Sequence, residues 1–345
     1  MKTRGMFTRE EIFSQPESWV HAIDILIENA QVIQEFSHHE DHPQVIFTGC
    51  GSTYHLACAA ASVFQELTDI SARGLPASEL WLSPRSSYSS SGKTILVAIS
   101  RSGETTETLQ ACDEFHANRK GEIITLVCDP DSSLTKLGAL NLVFPSGMEQ
   151  SIAQTRAFST LYLGVVGLCA IWARRDEWLE QINSLPLVGK RIIDGYNTNA
   201  EYFGKNLELD RIYFLGSGGR FGLACELNLK MKEMSLTHSE AFHFMEFRHG
   251  PKAMVNRNTL VVGLVSEINA KHELAVLKDT QDLGAVIVSI GENNVDISFN
   301  SGLEEVFRNI LYLPFGQMMA YERSIAKGLD PDHPNNLDAV VKLSK

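Results

Sequence analysis

Short apolar runs alternate along the chain with longer segments in which apolar residues recur every three or four positions. Seven runs rich in β-branched and aromatic residues predict strands, at residues 45–48, 94–99, 122–128, 140–144, 212–215, 259–264 and 286–290. The segments between them predict helices, including the almost wholly apolar residues 155–172, which should be packed on both sides. Strands that alternate with helices predict α/β domains built on parallel sheets.

The second half of the chain repeats the pattern of the first. Identical residues recur at a constant offset of 167, in the pairs Phe47 and Phe214, Gly49 and Gly216, Gly51 and Gly218, Leu56 and Leu223, Ala57 and Ala224, Cys58 and Cys225, and Glu66 and Glu233. A polar helical connector over residues 176–205 separates the halves. We therefore expect an N-terminal helical arm over residues 1–40, a first domain over residues 41–180 and a second over residues 195–345. The proline-rich tail, residues 328–337, is expected to be extended and to lie across the surface or a site.

Glycine and hydroxyl residues follow two of the predicted strands in the first half. The candidate ligand-binding residues are Ser52 and Thr53 in the first turn and Ser100, Arg101, Ser102 and Thr105 in the second. Each turn opens a helix, whose N-terminal amides and dipole favour an anion. The hydroxyls can donate to phosphate oxygens, and Arg101 adds a fixed charge. An ordinary N-cap explains one such turn, but two turns at the carboxyl ends of strands in one sheet favour a phosphate site.

Three ionisable residues share one face of the helix predicted after residues 212–215. Glu226, Lys230 and Glu233 lie at i, i+4 and i+7. The simplest interpretation is a solvated stripe with an ion pair worth about 0.2–0.5 kcal/mol. Residues 236–242, a predicted loop, and the residues that follow add more glutamates and histidines beside the same helix end. A purely structural loop does not need this concentration of ionisable groups, so the segment is the candidate for chemistry.

Composition and charge argue against several classes of function. The chain has 345 residues, of which 44% are hydrophobic and 21% charged, enough for buried cores in two domains. Its formal net charge of -12 argues against nucleic acid or an anionic membrane as a partner, because both require a basic face. No run of 18 apolar residues is present, and residues 1–5 lead into charged residues instead of the apolar core of a signal peptide. We therefore expect a cytoplasmic protein.

No organic cofactor and no metal site are predicted. Tyr54 stands where a dinucleotide-binding fingerprint needs its third glycine, and residues 91–94 imitate the end of a P-loop but lead into a strand. The histidine-rich and acidic residues 38–42 lack a metal-ligand spacing and are predicted to be a polar connector. The six cysteines form no C-x-x-C pair and mostly lie in apolar runs, so buried thiols are expected.

Eight segments of the chain match the motifs of one known family. They are residues 11–16, 51–55, 77–79, 99–105, 156–158, 226–233, 248–251 and the tail. In these motifs the chain resembles the sugar isomerase (SIS) domain family, in the two-domain arrangement of the isomerase half of glucosamine-6-phosphate synthase. The resemblance implies two tandem doubly wound (flavodoxin-like) SIS domains with parallel sheets, related by internal duplication. A glutaminase domain is not expected to precede them, because Met1 is not followed by the cysteine that begins it.

The resemblance also implies roles for individual residues. The residues that would bind the sugar phosphate are Ser52, Thr53, Ser100, Ser102 and Thr105, with Arg101 in place of a frequent glutamine and with Ile152 and Gln154 lining the sugar. Glu233 matches the base that moves a proton between C1 and C2, Lys230 its companion, and His249 the group that opens the sugar ring. In relatives that histidine comes from a neighbouring subunit, which implies a homodimer. Ala339 stands where the synthase tail has a Schiff-base lysine, so direct acid-base chemistry is expected.

These roles imply a phosphosugar aldose-ketose isomerase or deaminase that acts on a hexose 6-phosphate or an amino-sugar 6-phosphate without a metal or organic cofactor. Glucosamine-6-phosphate deaminase is the favoured activity, and fructosamine 6-phosphate deglycase and a tagatose-6-phosphate-type isomerase are the enzymatic alternatives. An alternative of another class is a regulator that binds sugar phosphates without turnover. The presence of both Glu233 and His249 favours catalysis, because a general base and a second proton carrier are what the reaction requires.

Overall fold

A computed structural model of the chain describes residues 4–38, 44–88, 93–118 and 121–343. The helices in these ranges are α1 (Met6–Phe13), α2 (Gln15–Glu28), α3 (Ala30–His38), α4 (Ser52–Thr68), α5 (Ala77–Leu82), α6 (Pro84–Ser87), α7 (Thr106–Asn118), α8 (Arg156–Trp172), α9 (Asp176–Lys205), α10 (Gly219–Ser235), α11 (Phe244–Phe247), α12 (Ala270–Asp282), α13 (Glu305–Arg308) and α14 (Leu313–Ala326). The strands are β1 (Gln44–Gly49), β2 (Ala72–Pro76), β3 (Thr94–Ser100), β4 (Ile123–Val127), β5 (Leu140–Val143), β6 (Arg211–Leu215), β7 (His238–Phe242), β8 (Thr259–Leu264), β9 (Val286–Gly291) and β10 (Ile297–Ser298). Short 3-10 helices lie at Leu134–Lys136, Pro145–Gly147, Pro251–Met254 and Asn309–Tyr312.

The chain forms two compact units, each with one sheet. The first-repeat unit comprises Gln15–Glu149, Arg156–Ser184 and Asp338–Lys345. The second-repeat unit comprises Met1–Ser14, Gln150–Thr155 and Leu185–Leu337. The limits predicted above for the arm and the two domains stay a prediction.

The sheet of the first-repeat unit is wholly parallel, in the order β2-β1-β3-β4-β5. Every residue of β3 and of β4 is buried, because helices cover both faces of such a sheet. The predicted apolar helix is α8, and all but its first residue are buried. It packs closely on α2 at Gly167, where an added Cβ would lie 2.2 Å from the Leu26 side chain. The expected helix packed on both sides is thus confirmed.

The sheet of the second-repeat unit has the corresponding order, β10-β9-β8-β6-β7, and is also parallel. In both sheets the first strand pairs with the second strand on one side and the third on the other. This is the doubly wound flavodoxin-like order. The predicted fold class and the internal duplication are therefore confirmed. Residues 176–205, predicted to be helical, form the single helix α9, which continues through Pro186.

Three strands were not predicted, and one of them corrects a predicted loop. Residues 236–242 contain β7, the edge strand beside β6. In β7 the exposed His238 and Glu240 flank the buried Ser239. Because all three residues are polar, the strand contains no apolar run from which it could be predicted. The other two, β2 and β10, are also edge strands, and every residue of β2 is only half-buried. Edge strands need less apolar surface than central ones, so their sequences carry a weaker signal.

Two sequence features fall outside the described residues. Residues 39–42 of the histidine-rich segment and residues 91–92 of the P-loop-like segment lie in the gaps between the described ranges. No helix within those ranges is long and apolar enough to cross a bilayer.

Candidate active site

The first predicted phosphate turn joins β1 to α4. Gly51 adopts a φ of +56° and a ψ of -121° immediately before Ser52 begins the helix, a conformation that costs other residues about 1–3 kcal/mol. The hydroxyl of Thr53 accepts a hydrogen bond from the Cys50 N–H at 2.9 Å and donates one to the Cys50 carbonyl at 3.0 Å. A side chain at Gly49 would collide with Thr53, with Cβ to Oγ1 at 2.5 Å. The Thr53 hydroxyl therefore fixes the shape of this turn.

The second predicted phosphate turn joins β3 to α7 and is held by its own serines. Ser100 Oγ accepts from the Gly103 N–H at 2.9 Å, and Ser102 Oγ accepts from the Glu104 N–H at 3.2 Å. Gly103 has a φ of +63°, and a Cβ there would lie 2.4 Å from the side chain of Ser132. Only glycine satisfies both restrictions, so the turn is fixed before any ligand arrives.

Hydrogen-bond donors remain open at this second turn. The backbone N–H groups of Ser102 and Thr105 and the hydroxyl of Thr105 make no hydrogen bond with any described residue. Both residues are half-buried, and Thr105 directly precedes the first residue of α7. Unpaired donors at a helix N-terminus are what an anion binds, because the helix dipole also favours negative charge there.

Arg101 ties this turn to the tail of the chain. Its guanidinium lies 3.4 Å from the buried carboxylate of Glu149 and donates a hydrogen bond of 3.2 Å to the carbonyl of Ala339. The Thr106 N–H donates to the Val341 carbonyl at 3.4 Å, so residues 339–343 pass beside the start of α7. Arg101 is only 7% exposed. In this structure its charge is matched by Glu149, and its direct contact with substrate stays a prediction.

Glu226, Lys230 and Glu233 of α10 form an ion-pair group that is largely buried. Lys230 Nζ lies 3.3 Å from Glu226 Oε1 and donates to Glu233 Oε2. The side chains of Lys230 and Glu226 have no exposed surface, whereas 18% of the Glu233 side chain is exposed. The solvated-stripe interpretation is therefore wrong. Of the three, Glu233 is the one that a ligand can reach, and Lys230 holds its carboxylate in place.

His249 is exposed on the loop that follows α11. Its backbone N–H donates to the Glu246 carbonyl at 2.9 Å, and the neighbouring Arg248 pairs with Asp279 at 2.7 Å. Within the described part of the chain, the His249 side chain makes no hydrogen bond or ion pair with Lys230 or Glu233. The chain by itself does not bring His249 into contact with the α10 group. Its supply to a neighbouring subunit stays a prediction.

The segment that carries Ile152 and Gln154 is held by residues that sequence analysis assigned no role. Glu11 of α1 accepts from the Gln150 N–H at 2.6 Å, and the Ile152 N–H donates to the Asp332 carbonyl at 3.1 Å. Both acidic residues are buried, at 3% and 5% exposure. The buried Oε1 of Gln154 has no hydrogen-bond partner among the described residues. An unsatisfied buried amide oxygen is costly unless a ligand supplies a donor, which suits a residue that lines a sugar.

The cysteines and possible metal ligands complete the inventory of reactive groups. All six cysteines are free thiols. Burial raises the pKa of the thiols of Cys128 and Cys169, and that of Cys112 to about 12. The described residues contain no group of three or more histidine, cysteine, aspartate or glutamate side chains placed to hold a metal ion. Among the described residues, the candidate base Glu233 lies on α10, and the N–H groups of Ser102 and Thr105 that are open to an anion lie at the β3–α7 turn.

Comparison with known proteins extends these observations. The glutamine–fructose-6-phosphate aminotransferase (isomerizing) of Helicobacter pylori is 27% identical over 359 residues, which cover 98% of this chain and 59% of that protein. The enzyme of the same name from Methanothermobacter thermautotrophicus is 25% identical and is covered to 57%. The chain thus spans less than two thirds of the length of these relatives.

Solved structures give closer agreement in length. Glucosamine-6-phosphate deaminase from Thermotoga maritima superposes with a TM-score of 0.77 at 28% identity, covering 94% of this chain and 100% of that chain. Tagatose-6-phosphate ketose/aldose isomerase from Escherichia coli superposes with a TM-score of 0.85 at 23% identity, covering 96% and 98% of the two chains, which shows a shared fold.

The family assignment rests on the domain model itself. The SIS domain model matches residues 39–166 and 208–300, one segment in each half of the chain. These segments hold the two duplicated sheets, the β3–α7 turn and the ion-pair group of α10. The chain belongs to the SIS domain family.

Proposed function

We propose that this chain is a phosphosugar isomerase/deaminase that converts glucosamine 6-phosphate to a ketose 6-phosphate and ammonia. The observation that carries the proposal is Glu233, a carboxylate partly exposed to solvent and held by a fully buried lysine. The similarity over the full length of the Thermotoga maritima deaminase supports the amino-sugar substrate. Ala339 also supports it, since this tail offers a methyl group where a synthase-like tail would offer an amine.

The phosphate of the substrate is proposed to bind at the two turns of the first repeat. Ser102 and Thr105 supply open N–H donors, and the N-terminus of α7 supplies favourable potential. The first turn, with Ser52 and Thr53, adds the N-terminus of α4. Ser100 and Thr53 act mainly by holding the turns in shape, because their hydroxyls already bond within them. Both turns are preformed, so binding costs little ordering entropy.

The reaction needs one base that takes a proton from carbon and returns it to the next carbon. After the ring opens to the aldehyde, Glu233 takes the proton from C2, and the electron pair of that C–H bond forms the C1–C2 double bond. The π pair of the C1 carbonyl moves to O1, which takes up a proton from water, so the product is an enaminol. Return of the proton from Glu233 to C1 gives an iminium group at C2. Water then adds to the imine carbon and ammonia leaves, which yields the ketose phosphate.

Lys230 and His249 are proposed to assist at different steps. Lys230 is enclosed between Glu226 and Glu233, so it orients the base and balances the charge of both carboxylates. His249, exposed on its loop, is proposed to reach a neighbouring subunit of a homodimer and to transfer protons during ring opening. Ile152 and Gln154 are proposed to contact the sugar hydroxyls.

The test is turnover of the purified chain with glucosamine 6-phosphate, measured as ammonia release. Fructosamine 6-phosphate and tagatose 6-phosphate serve as alternative substrates that separate deaminase, deglycase and isomerase. Glu233→Gln keeps the size of the side chain but removes the base, so turnover should fall by about 10²- to 10⁴-fold while phosphosugar binding is retained. The control is Glu240→Gln, an exposed glutamate on β7 that should retain turnover.

Two results would contradict the proposal in different ways. Full turnover by Glu233→Gln would remove Glu233 from the role of base while leaving the family activity intact. Saturable binding of hexose 6-phosphates by the wild-type chain with no turnover of any of them would favour the binding regulator instead.

A further inference from the structure

The second repeat contains a loop that matches the second phosphate turn of the first repeat. In the first repeat β3 ends at Ser100, and the 13-residue helix α7 begins at Thr106. In the second repeat β8 ends at Leu264, and the 13-residue helix α12 begins at Ala270. The connecting loops, residues 101–105 and 265–269, therefore have the same length and lie at the same place in their sheets. Such loops end at a helix N-terminus, where anions bind.

Three consecutive N–H groups of the second-repeat loop already bond to carboxylates. The Ser266 N–H donates to Glu273 Oε2 at 2.5 Å. The N–H groups of Glu267 and Ile268 both donate to Glu305 Oε2, at 2.8 and 3.3 Å. The last two of these N–H groups converge on one carboxylate oxygen, and successive backbone N–H groups arranged in this way form a concave anion site. Here the chain's own side chains occupy it.

A buried arginine supplies the matching positive charge. Arg220, on the first turn of α10, lies 3.5 Å from Glu273 Oε1 and donates to Glu305 Oε1. Arg220 is only 6% exposed, and its buried Nε has no hydrogen-bond partner among the described residues. Burial acts to raise the pKa of Glu305, but the Arg220 charge and the two loop amides outweigh it and hold that pKa below its ordinary value. Glu305 is therefore a charged oxyanion at neutral pH.

The first repeat has a leucine where the second repeat has Glu273. Leu109 is the fourth residue of α7, and Glu273 is the fourth residue of α12. A leucine cannot accept a hydrogen bond, so the N–H group of Ser102, the counterpart of Ser266, stays open in the first repeat. The two loops share their length and their place in the sheet, but within the described ranges only the second-repeat loop has N–H groups that bond to carboxylates of the chain.

We propose that the second repeat holds an oxyanion site whose occupant is the Glu305 carboxylate of the chain itself. The chemical class of ligand that this site takes is a carboxylate or phosphate oxyanion. Two consequences follow. A phosphosugar does not bind at this loop while Glu305 is present, and removal of the Glu305 side chain opens the site to a small external oxyanion. Both hold whether or not the first repeat binds a phosphosugar.

The experiment is chemical rescue of Glu305→Ala, followed by thermal unfolding of the full chain. The variant leaves Arg220 without its nearest counter-ion, so the Tm should fall by about 6 °C or more in sodium chloride. Sodium acetate at equal ionic strength should restore at least half of that loss. The wild type and Glu201→Ala, which removes an exposed glutamate paired with Lys205, should not respond to acetate. Isothermal titration with inorganic phosphate should find one more binding site per chain in Glu305→Ala than in the wild type.

A second variant guards against a general effect of the mutation. Glu305→Gln still presents an oxygen to the loop amides but has no charge, so its Tm should fall without recovery in acetate, because the site remains filled. If Glu305→Ala does not fold in chloride, its refolding yield with and without acetate replaces the melting temperature. The same melting temperature, or the same refolding yield, of Glu305→Ala in acetate and chloride would overturn the proposal. Equal rescue of Glu305→Gln would also overturn it.

Discussion

The buried ion-pair group of α10 gives a prediction whose size follows from the structure. Lys230→Met keeps a long apolar stem but removes the ammonium that lies 3.3 Å from Glu226 and bonds to Glu233. Glu226 has no exposed side-chain surface, so its carboxylate cannot recover the lost interaction from water. The variant therefore leaves a fully buried carboxylate without its ammonium partner.

The expected loss is about 3–5 kcal/mol of the free energy of unfolding. Coulomb's law at 3.3 Å with an effective dielectric constant of about 20 gives about 5 kcal/mol for the Lys230–Glu226 attraction, which is an upper bound on the net effect. The first repeat indicates which substitutions would restore the unfolding free energy that Lys230→Met loses. At the offset of 167, Glu226 and Lys230 correspond to Ala59 and Val63, which are both buried. The double variant Glu226→Ala/Lys230→Val should thus unfold within about 1.5 kcal/mol of the wild type.

Urea unfolding measures both variants, and Lys232→Met on the exposed side of α10 is the matched control. A single variant within about 1 kcal/mol of the wild type would refute the idea that Lys230 compensates Glu226. A double variant that is less stable than the single one would refute it as well. The double variant keeps Glu233 but loses its anchor, so its turnover number should fall while its KM for the phosphosugar changes little.

Two further predictions concern the glycine turns and acid stability. Gly103→Ala should lose more unfolding free energy in urea than Gly51→Ala and should weaken phosphate binding, because its Cβ would lie 2.4 Å from Ser132. Gly51 has a similar φ but no atom within 4 Å of an added Cβ, so Gly51→Ala should cost only the backbone strain of about 1–3 kcal/mol. Equal losses would contradict the steric argument. Against burial, Arg220 holds the pKa of Glu305 below 4.5, so ionised Glu305 stabilises the fold above that pH and the contribution is lost as the pH falls through the lowered pKa. Wild type should therefore lose more stability than Glu305→Gln between about pH 5 and pH 3, measured by urea unfolding; parallel losses would contradict this assignment.

The central strands were predictable from sequence because burial on both faces demands continuous apolar residues. All residues of β3 and β8 are buried, and both strands were predicted within one residue of their ends. The strands that were missed lie at sheet edges, where one side of the backbone has no neighbour. In β7 this leaves room for His238 and Glu240, which are exposed. An edge strand is defined by its pairing with another segment, and a local pattern does not contain that information.

The site was predictable where local chemistry defines it. Hydroxyl residues and glycines between a predicted strand and a predicted helix can be recognised from sequence, and Ser102 and Thr105 lie where that pattern indicated. The burial of Lys230 was not predictable, since exposed and buried ion pairs have the same spacing along a helix. Glu11 was assigned no role, although it holds the backbone of Gln150, because the contact joins residues 139 positions apart. Its only local signal is an acidic residue beside apolar Ile12 in α1.

The two repeats show what duplication preserved and what it changed. Both keep the strand order and the glycine turn before the first helix, so the fold needs those features. The fold does not need charges inside that helix, because Ala59 and Val63 fill the corresponding positions of the first repeat. Replacing a buried ion pair with apolar residues is often neutral or stabilising, so stability gives no reason to retain Glu226 and Lys230. The effect that remains for them is to position Glu233, because Lys230 bonds to its partly exposed carboxylate. We therefore infer that the buried charges of the second repeat serve to orient Glu233, the proposed base. A Glu226→Ala/Lys230→Val variant that is as stable as the wild type but has a lower turnover number is the result this inference expects.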